Sequence, residues 1–193
     1  MPHLAFKANF HGEDVEGDGG PYRQVFQDWS SQLQPESQDE NAEVLTLLKP
    51  CANQVQGEQR GKDRFVINSG KSSSTDLDQF KFLGTLMGIC ARTNVILTLD
   101  LPKLFWKQLT GQKVTLDDIT EVEYRFLRSA QQMLSYSRED FSFIPQYWTT
   151  TLADSYEIDL TEDGEGSEKL VKFEDRFDYV RASLMARMTQ TQE

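Results

Sequence analysis

One long apolar helical repeat constrains the fold more than any other feature of the sequence. Between about residues 76 and 93, apolar side chains recur at the three- and four-residue spacing of one helix face, namely Leu77, Phe80, Leu83, Met87 and Ala91. The apolar stretch 82–91 is shorter than the roughly 20 residues that cross a bilayer. We therefore predict a central helix that is packed inside a soluble domain, without membrane insertion. Gly84 and Gly88 lie one turn apart on this helix and predict the close approach of another backbone.

Shorter helix and strand patterns surround this helix. Helices are predicted over about 21–34, over 121–134 and at the C-terminus, where Phe177, Val180, Leu184 and Met188 mark the apolar face; short helices follow Pro102 and Thr115. Short strands are predicted over 44–49, 64–67, 95–101, 141–148 and 156–160. The predicted fold class is α+β and mostly helical.

Stop and start signals near residue 113 predict two parts. Gly111 ends one helical pattern, and Thr115 with Asp118 resembles a capping box that begins another. Short strands become frequent only after this point. We expect a larger helical part over 1–113 and a smaller part over 114–187, with residues 188–193 beginning a return toward the larger part.

The charge of the chain limits its partners. Twenty Lys and Arg residues against 31 Asp and Glu residues give a formal net charge of −11. Nucleic-acid binding depends on Lys and Arg side chains that neutralise phosphates, and anionic membranes attract the same residues. The composition therefore argues against nucleic acid and equally against an anionic membrane surface as partners.

Few residues of this chain suit covalent or metal chemistry. The sequence holds two His, His3 and His11, and two Cys, Cys51 and Cys90, with no spacing typical of a zinc site. Neither cysteine has the basic surroundings that produce a reactive thiolate. We predict no catalytic residue, no metal and no cofactor. Two unpaired cysteines also favour a reducing compartment, so we expect a cytoplasmic or nuclear location.

Several ordered motifs resemble the HECT ubiquitin-ligase domain, in particular that of its large HERC-type members. FHGEDVEGDGGPY (10–22) resembles the opening strand and glycine turn of that family, and FKFLGTLMGICAR (80–92) resembles its central helix. WKQLTG (106–111), LDDI (116–119) and VKFEDRFDYV (171–180) follow in the order of the family. The resemblance covers nearly the whole chain.

This resemblance implies an N-lobe portion of a HECT E3 ubiquitin-protein transferase. The family's N-lobe captures a ubiquitin-charged E2, a C-lobe cysteine accepts the ubiquitin, and a lysine of a protein substrate receives it. The implied partners are therefore an E2 ubiquitin-conjugating enzyme, ubiquitin and a protein substrate. We expect the thioester cysteine to lie outside this chain, which would then be inactive alone.

The same resemblance implies which residues meet the E2. The family binds the E2 in a shallow apolar groove that is formed by a helix, a nearby strand and the returning helix. We therefore expect the smaller part, over 114–187, to be the E2-binding part. The matching positions are Tyr124, Leu127, Ile144, Trp148 and Tyr179. Glu123 and Ser183 depart from the family, which usually has Leu and Tyr there, and such losses of apolar area predict weak docking.

Two alternatives stay open at this point. Tyr124, Leu127 and Tyr179 fit ordinary core positions of the smaller part as well as they fit a groove. The fold also suits a non-catalytic acidic protein-interaction module that has lost E2 binding.

Overall fold

A computed structural model describes residues 4–6, 20–34 and 46–189. Its helices are α1 (Gly20–Leu33), α2 (Ala52–Val55), α3 (Ser74–Thr93), α4 (Lys103–Leu109), α5 (Leu116–Thr120), α6 (Tyr124–Ser135), α7 (Arg138–Ser142) and α8 (Arg176–Thr189). Its strands, of three residues each, are β1 (Leu48–Pro50), β2 (Phe65–Ile67), β3 (Thr149–Thr151) and β4 (Glu157–Asp159). The mostly helical α+β class is confirmed. Most of the motif at 10–22 and the end of the predicted return at 188–193 lie outside the described residues.

Two predicted strands are wrong. Residues 95–100 have no regular structure, because their backbone bonds to α1 side chains instead of a neighbouring strand. The Thr98 N–H donates to Ser30 Oγ at 3.1 Å, and the Asp100 N–H donates to Gln34 Oε1 at 3.2 Å. Residues 141–148 contain the end of α7 and a connector. The helix begins after Ser137, whose hydroxyl caps it by accepting from the Asp140 N–H.

The described residues divide into two compact units. Unit 1 takes the described parts of Met1–Lys49 and Gly70–Asp100, and unit 2 takes those of Pro50–Ser69 and Leu101–Glu193. Residues 50–69 and 101–113 thus group with unit 2, whereas the sequence placed them in the larger part. The assignment of an E2-binding part stays a prediction.

The core of unit 1 joins α1 and α3. Its buried residues are Tyr22, Phe26, Leu86 and Cys90. The buried face of α3 is Leu83, Leu86, Cys90 and Thr93, so that only Leu83 of the five predicted residues is buried. Leu77 is exposed, and a Cβ added at Gly84 or Gly88 would meet nothing within 4 Å. The expected close backbone contact at these glycines is thus absent from the described residues.

Unit 2 holds two buried clusters. One contains Cys51, Val66, Leu104, Val122 and Ala153, and the other joins α6, α7 and α8 through Ala130, Met133, Phe141, Val171, Tyr179 and Val180. Strands β3 and β4 are antiparallel, with Thr150 opposite Ile158. Among the helices that the structure describes, none has the length and apolar content that a bilayer crossing requires.

Candidate protein-docking site

The start of α6 is fixed by a fully buried side chain, that of Asn53. Its Oδ1 accepts from the Tyr124 N–H at 2.7 Å, and its Nδ2 donates to the carbonyls of Arg60 at 3.0 Å and Thr120 at 2.9 Å. The Asn53 N–H also donates to the Val122 carbonyl at 2.9 Å. Because these bonds satisfy each polar group of the side chain, the first turn of α6 is held in one place.

Two of the candidate residues lie on α6 with access to solvent. Tyr124, the first residue of the helix, is 36% exposed, and the Arg128 guanidinium lies 5.8 Å from the centre of its ring. Leu127 is half-buried one turn later. The buried residues of this helix are Ala130 and Met133. The face that carries Tyr124 and Leu127 is therefore open to a partner.

Two further candidates lie between α7 and β3. Ile144 and Trp148 are both half-buried. The Trp148 N–H donates to the carbonyls of Gly166 and Lys169, each at 3.0 Å, and its carbonyl accepts from the Leu160 N–H at 2.9 Å. The backbone of Trp148 is thus fixed from both sides.

Tyr179 on α8 is buried, with 6% of its surface exposed. Its hydroxyl donates to the Thr149 carbonyl at 3.0 Å, and its ring lies edge-on to Trp148 with 6.0 Å between centres. The structure therefore brings Tyr179 and Trp148 together. Whether either residue contacts an E2 stays a prediction.

Glu123 does not lie in an exposed groove, and this corrects the sequence interpretation. Its side chain is 5% exposed, and Oε2 accepts from Arg187 Nε at 2.8 Å. Burial raises the pKa of the Glu123 carboxyl, and the neighbouring Arg187 guanidinium opposes that shift. Ser183 is fully buried as well, and its Oγ has no hydrogen-bond partner. The presence of Glu123 and Ser183 in place of Leu and Tyr therefore does not reduce the apolar area of a solvent-facing groove.

A cavity of about 410 Å³ lies within unit 2 beside this ion pair. Its lining combines side chains of α6, α8 and β3 with polar residues from the C-cap of α2 and from the connector before β3, including Phe126, Ser129, Gln56, Gln146, Thr150 and Arg187. Of the five candidate residues, Tyr179 alone lines it. The cavity and the exposed face of α6 are therefore different surfaces.

The two cysteines of the chain are poorly placed for thioester chemistry. Both are buried, and the Cys51 Sγ donates to the Gly61 carbonyl at 3.3 Å. Burial raises the pKa of both thiols, which favours the unreactive protonated form. The part of the chain that the structure describes has no group of three or more His, Cys, Asp or Glu residues able to hold a metal ion.

Arg187 is the site residue that sequence reasoning missed. The predicted buried face of α8 included Phe177, which is 56% exposed, whereas the observed face is Tyr179, Val180, Ser183 and Arg187. One signal was available: Arg187 shares a helix face with Val180 and Ser183, at spacings of seven and four residues. A charge on an apolar face indicates a buried partner of opposite sign.

Comparison with known proteins identifies related sequences. The family model of the HECT-domain (ubiquitin-transferase) matches residues 32–193. The E3 ubiquitin-protein ligase HERC2 of Mus musculus is 27% identical over the whole chain, and that of Homo sapiens is 26% identical. The probable E3 ubiquitin-protein ligase HECTD4 of Homo sapiens is 32% identical over 58% of the chain and 3% of its own length. The chain spans about 4% of the length of either HERC2 protein.

Proposed function

The chain belongs to the HECT-domain family of ubiquitin transferases, and on this basis we propose that it docks the ubiquitin-charged E2 of a HECT E3 ligase. Ubiquitin then passes to a C-lobe cysteine outside this chain and from there to a lysine of a protein substrate. The observation that carries the proposal is the family match over residues 32–193. The proposed location is cytoplasmic or nuclear.

The geometry of unit 2 supports an apolar docking face on α6. Tyr124 offers a partly exposed ring, Leu127 is half-buried beside it, and Asn53 fixes the turn that carries both. A rigid aromatic group with an aliphatic neighbour is the kind of anchor that dominates small interfaces, because little side-chain entropy is lost on binding. The net charge of −11 contributes to the rate of encounter more than to selectivity.

An NMR titration of isotope-labelled E2 with this chain tests the proposal. We expect E2 signals to shift with a dissociation constant of tens to hundreds of micromolar, roughly −5 to −6 kcal/mol, because the proposed face offers few apolar anchors. Leu127→Ala and Tyr124→Ala should each weaken binding severalfold, because each truncates an apolar anchor.

Two exposed residues of unit 2 provide matched controls. Leu109 is 62% exposed and Tyr156 is 43% exposed, and neither is a predicted contact. Leu109→Ala and Tyr156→Ala should therefore bind E2 as the parent does. If E2 signals never move, the docking proposal is wrong and the acidic interaction module becomes the better explanation. Equal losses in the controls would also reject the α6 face.

A further inference from the structure

Arg187 connects three elements of unit 2 through one buried side chain. It is 2% exposed, and its guanidinium carbon lies 3.4 Å from the centre of the Phe126 ring. Its donors reach Glu123 Oε2 at 2.8 Å, Thr150 Oγ1 at 3.0 Å, the Ser183 carbonyl at 2.8 Å and the Thr151 carbonyl at 2.5 Å. These partners lie at the start of α6, on β3 and within α8 itself.

We propose that Arg187 is a positioning residue, which holds the start of α6, strand β3 and helix α8 in the arrangement that docks the E2. The inference rests on the proposed function. Arg187 does not touch the partner: it acts through Tyr124 and through the strand that follows Trp148.

The contacts with β3 show how the arrangement is fixed. The Tyr179 hydroxyl donates to the Thr149 carbonyl, and Arg187 donates to the Thr151 carbonyl two residues later. Carbonyls two residues apart in a strand point to the same edge. Helix α8 is therefore bonded at two points to one edge of β3, so that neither element can slide along the other without breaking both bonds.

The start of α6 is held from two sides. Glu123 immediately precedes Tyr124 and pairs with Arg187, while Asn53 binds the Tyr124 N–H. The donors of a planar guanidinium point along set angles, so Arg187 fixes the direction of each hydrogen bond as well as its length. Removing Arg187 takes away the ion pair that holds Glu123, whereas the bond from the Tyr124 N–H to Asn53 remains.

Net stability is a poor explanation for this pair. Desolvating two charges offsets most of their attraction, and apolar residues of similar volume often stabilise a buried site equally well. An apolar pair makes no directional hydrogen bonds, and it therefore cannot bind the carbonyls of β3. The role in positioning is thus separable from the role in stability.

The test replaces both charges together, as Glu123→Met with Arg187→Met. Chemical denaturation should show a single cooperative transition, as expected for a folded variant, whereas the E2 dissociation constant from the NMR titration should rise about tenfold. The exposed pair Arg138–Glu174 is the control, and Arg138→Met with Glu174→Met should leave E2 binding unchanged. A folded Glu123/Arg187 double variant that binds E2 as the parent does would overturn the proposal.

A second variant covers the case in which the double variant does not fold. Arg187→Lys keeps the charge beside Glu123 but loses the planar fork that reaches β3. We expect it to fold and to bind E2 severalfold more weakly. Losses of affinity and stability in proportion would show a structural role only and would overturn the proposal.

Hydrogen exchange gives a readout that needs no E2. The amides of Tyr124 and Leu152, which donate to Asn53 Oδ1 and the Tyr156 carbonyl, report on the start of α6 and the end of β3. In Arg187→Lys they should exchange about tenfold faster than in the parent while the Ala130 amide stays unchanged. Uniform acceleration across unit 2, or none, would overturn the proposal. If the parent binds no E2, the docking function fails, and the exchange data still decide whether Arg187 positions these elements.

Discussion

Asp118 is a buried carboxylate that holds the start of α5 beside α4. Its Oδ2 accepts from the Thr115 N–H at 2.8 Å, from Thr115 Oγ1 at 2.7 Å and from Lys107 Nζ at 2.6 Å. Burial by itself would raise the pKa of Asp118, but the hydrogen bonds from Lys107 and Thr115 hold that pKa below its ordinary value. The predicted capping box is thus confirmed, with an ion pair that the sequence pattern did not include.

We expect Asp118→Asn to lower the free energy of unfolding by about 1–2 kcal/mol at pH 7, because the cap and the Lys107 pair are both weakened. Since the folded pKa is lowered, the carboxylate stabilises the fold above its ordinary pKa of 3.8 and loses this effect as the pH falls through the lowered value. The difference between parent and variant should therefore shrink below that pH. Denaturant titrations at several pH values measure it, and Asp117→Asn, at a side chain 70% exposed, is the control.

A second single-residue prediction concerns Glu123→Leu. Because the resembled family usually has Leu at this position, the resemblance implies that this change would strengthen E2 docking by restoring apolar area. The structure predicts a loss of about 3–5 kcal/mol in unfolding free energy instead, because the buried Arg187 charge would lose its partner. Thermal or urea denaturation measures this loss, and a variant as stable as the parent would contradict the buried pair.

At the scale of elements, α3 shows what a pattern can and cannot predict. Local sequence predicts the helix but not its start at Ser74, where the Ser73 hydroxyl caps the helix by accepting from the Asp76 N–H. It does not predict the buried face either, because apolar residues surround the helix on several sides. The position of α1 selects Leu86 and Cys90 over Met87 and Ala91. The strand predicted over 95–101 is wrong for a similar reason, since the hydrogen-bond partners of this backbone are side chains distant in sequence.

The two glycines of α3 lead to a stability prediction for this helix. Both are exposed and have open space around them, so alanine fits without a clash. Gly84→Ala and Gly88→Ala should each raise the unfolding free energy by about 0.5–1 kcal/mol, because alanine loses less backbone entropy in a helix.

Gly61→Ala is the opposite case and serves as the comparison. Gly61 has a φ of +67°, and an added Cβ would lie 1.8 Å from the Glu121 carbonyl oxygen. Strain and overpacking should then cost about 2–4 kcal/mol. Denaturation of the three variants under one set of conditions provides the measurement, and destabilisation by the α3 substitutions would mean that this face is packed in solution.

At the scale of the whole molecule, family motifs predicted more than periodicity did. The α+β class followed from helix and strand patterns, and the family followed from short motifs in a fixed order, because such order is rarely reproduced by chance. The boundaries of the units did not follow. Residues 50–69 join unit 2 through contacts such as that of Asn53 with Thr120, and sequence separation conceals these contacts. Tyr124, Leu127 and Tyr179 lie on helices, as predicted. Ile144 and Trp148 do not lie on a strand, because the strand predicted over 141–148 is absent.

For the chain as a whole, we predict no ubiquitin thioester on either of its cysteines. Both thiols are buried with raised pKa values, so neither presents a thiolate to a charged E2. Incubation with E1, E2, ubiquitin and ATP should yield no adduct of this chain that a reductant removes. An adduct that disappears in Cys51→Ser or Cys90→Ser would contradict the prediction.

Asn53 also bears on how the protein ages. Hydrolysis of its side-chain amide would replace the Nδ2 donor with a carboxylate oxygen facing the carbonyls of Arg60 and Thr120, so two attractions would become repulsions. Asparagine is among the residues most prone to thermal damage, and burial in α2 shields this one as long as unit 2 stays closed. Each opening exposes the amide to water, and each hydrolysed molecule closes again less readily. The rate at which this lesion accumulates therefore depends on how often unit 2 opens, and ligands that keep it closed should slow the accumulation.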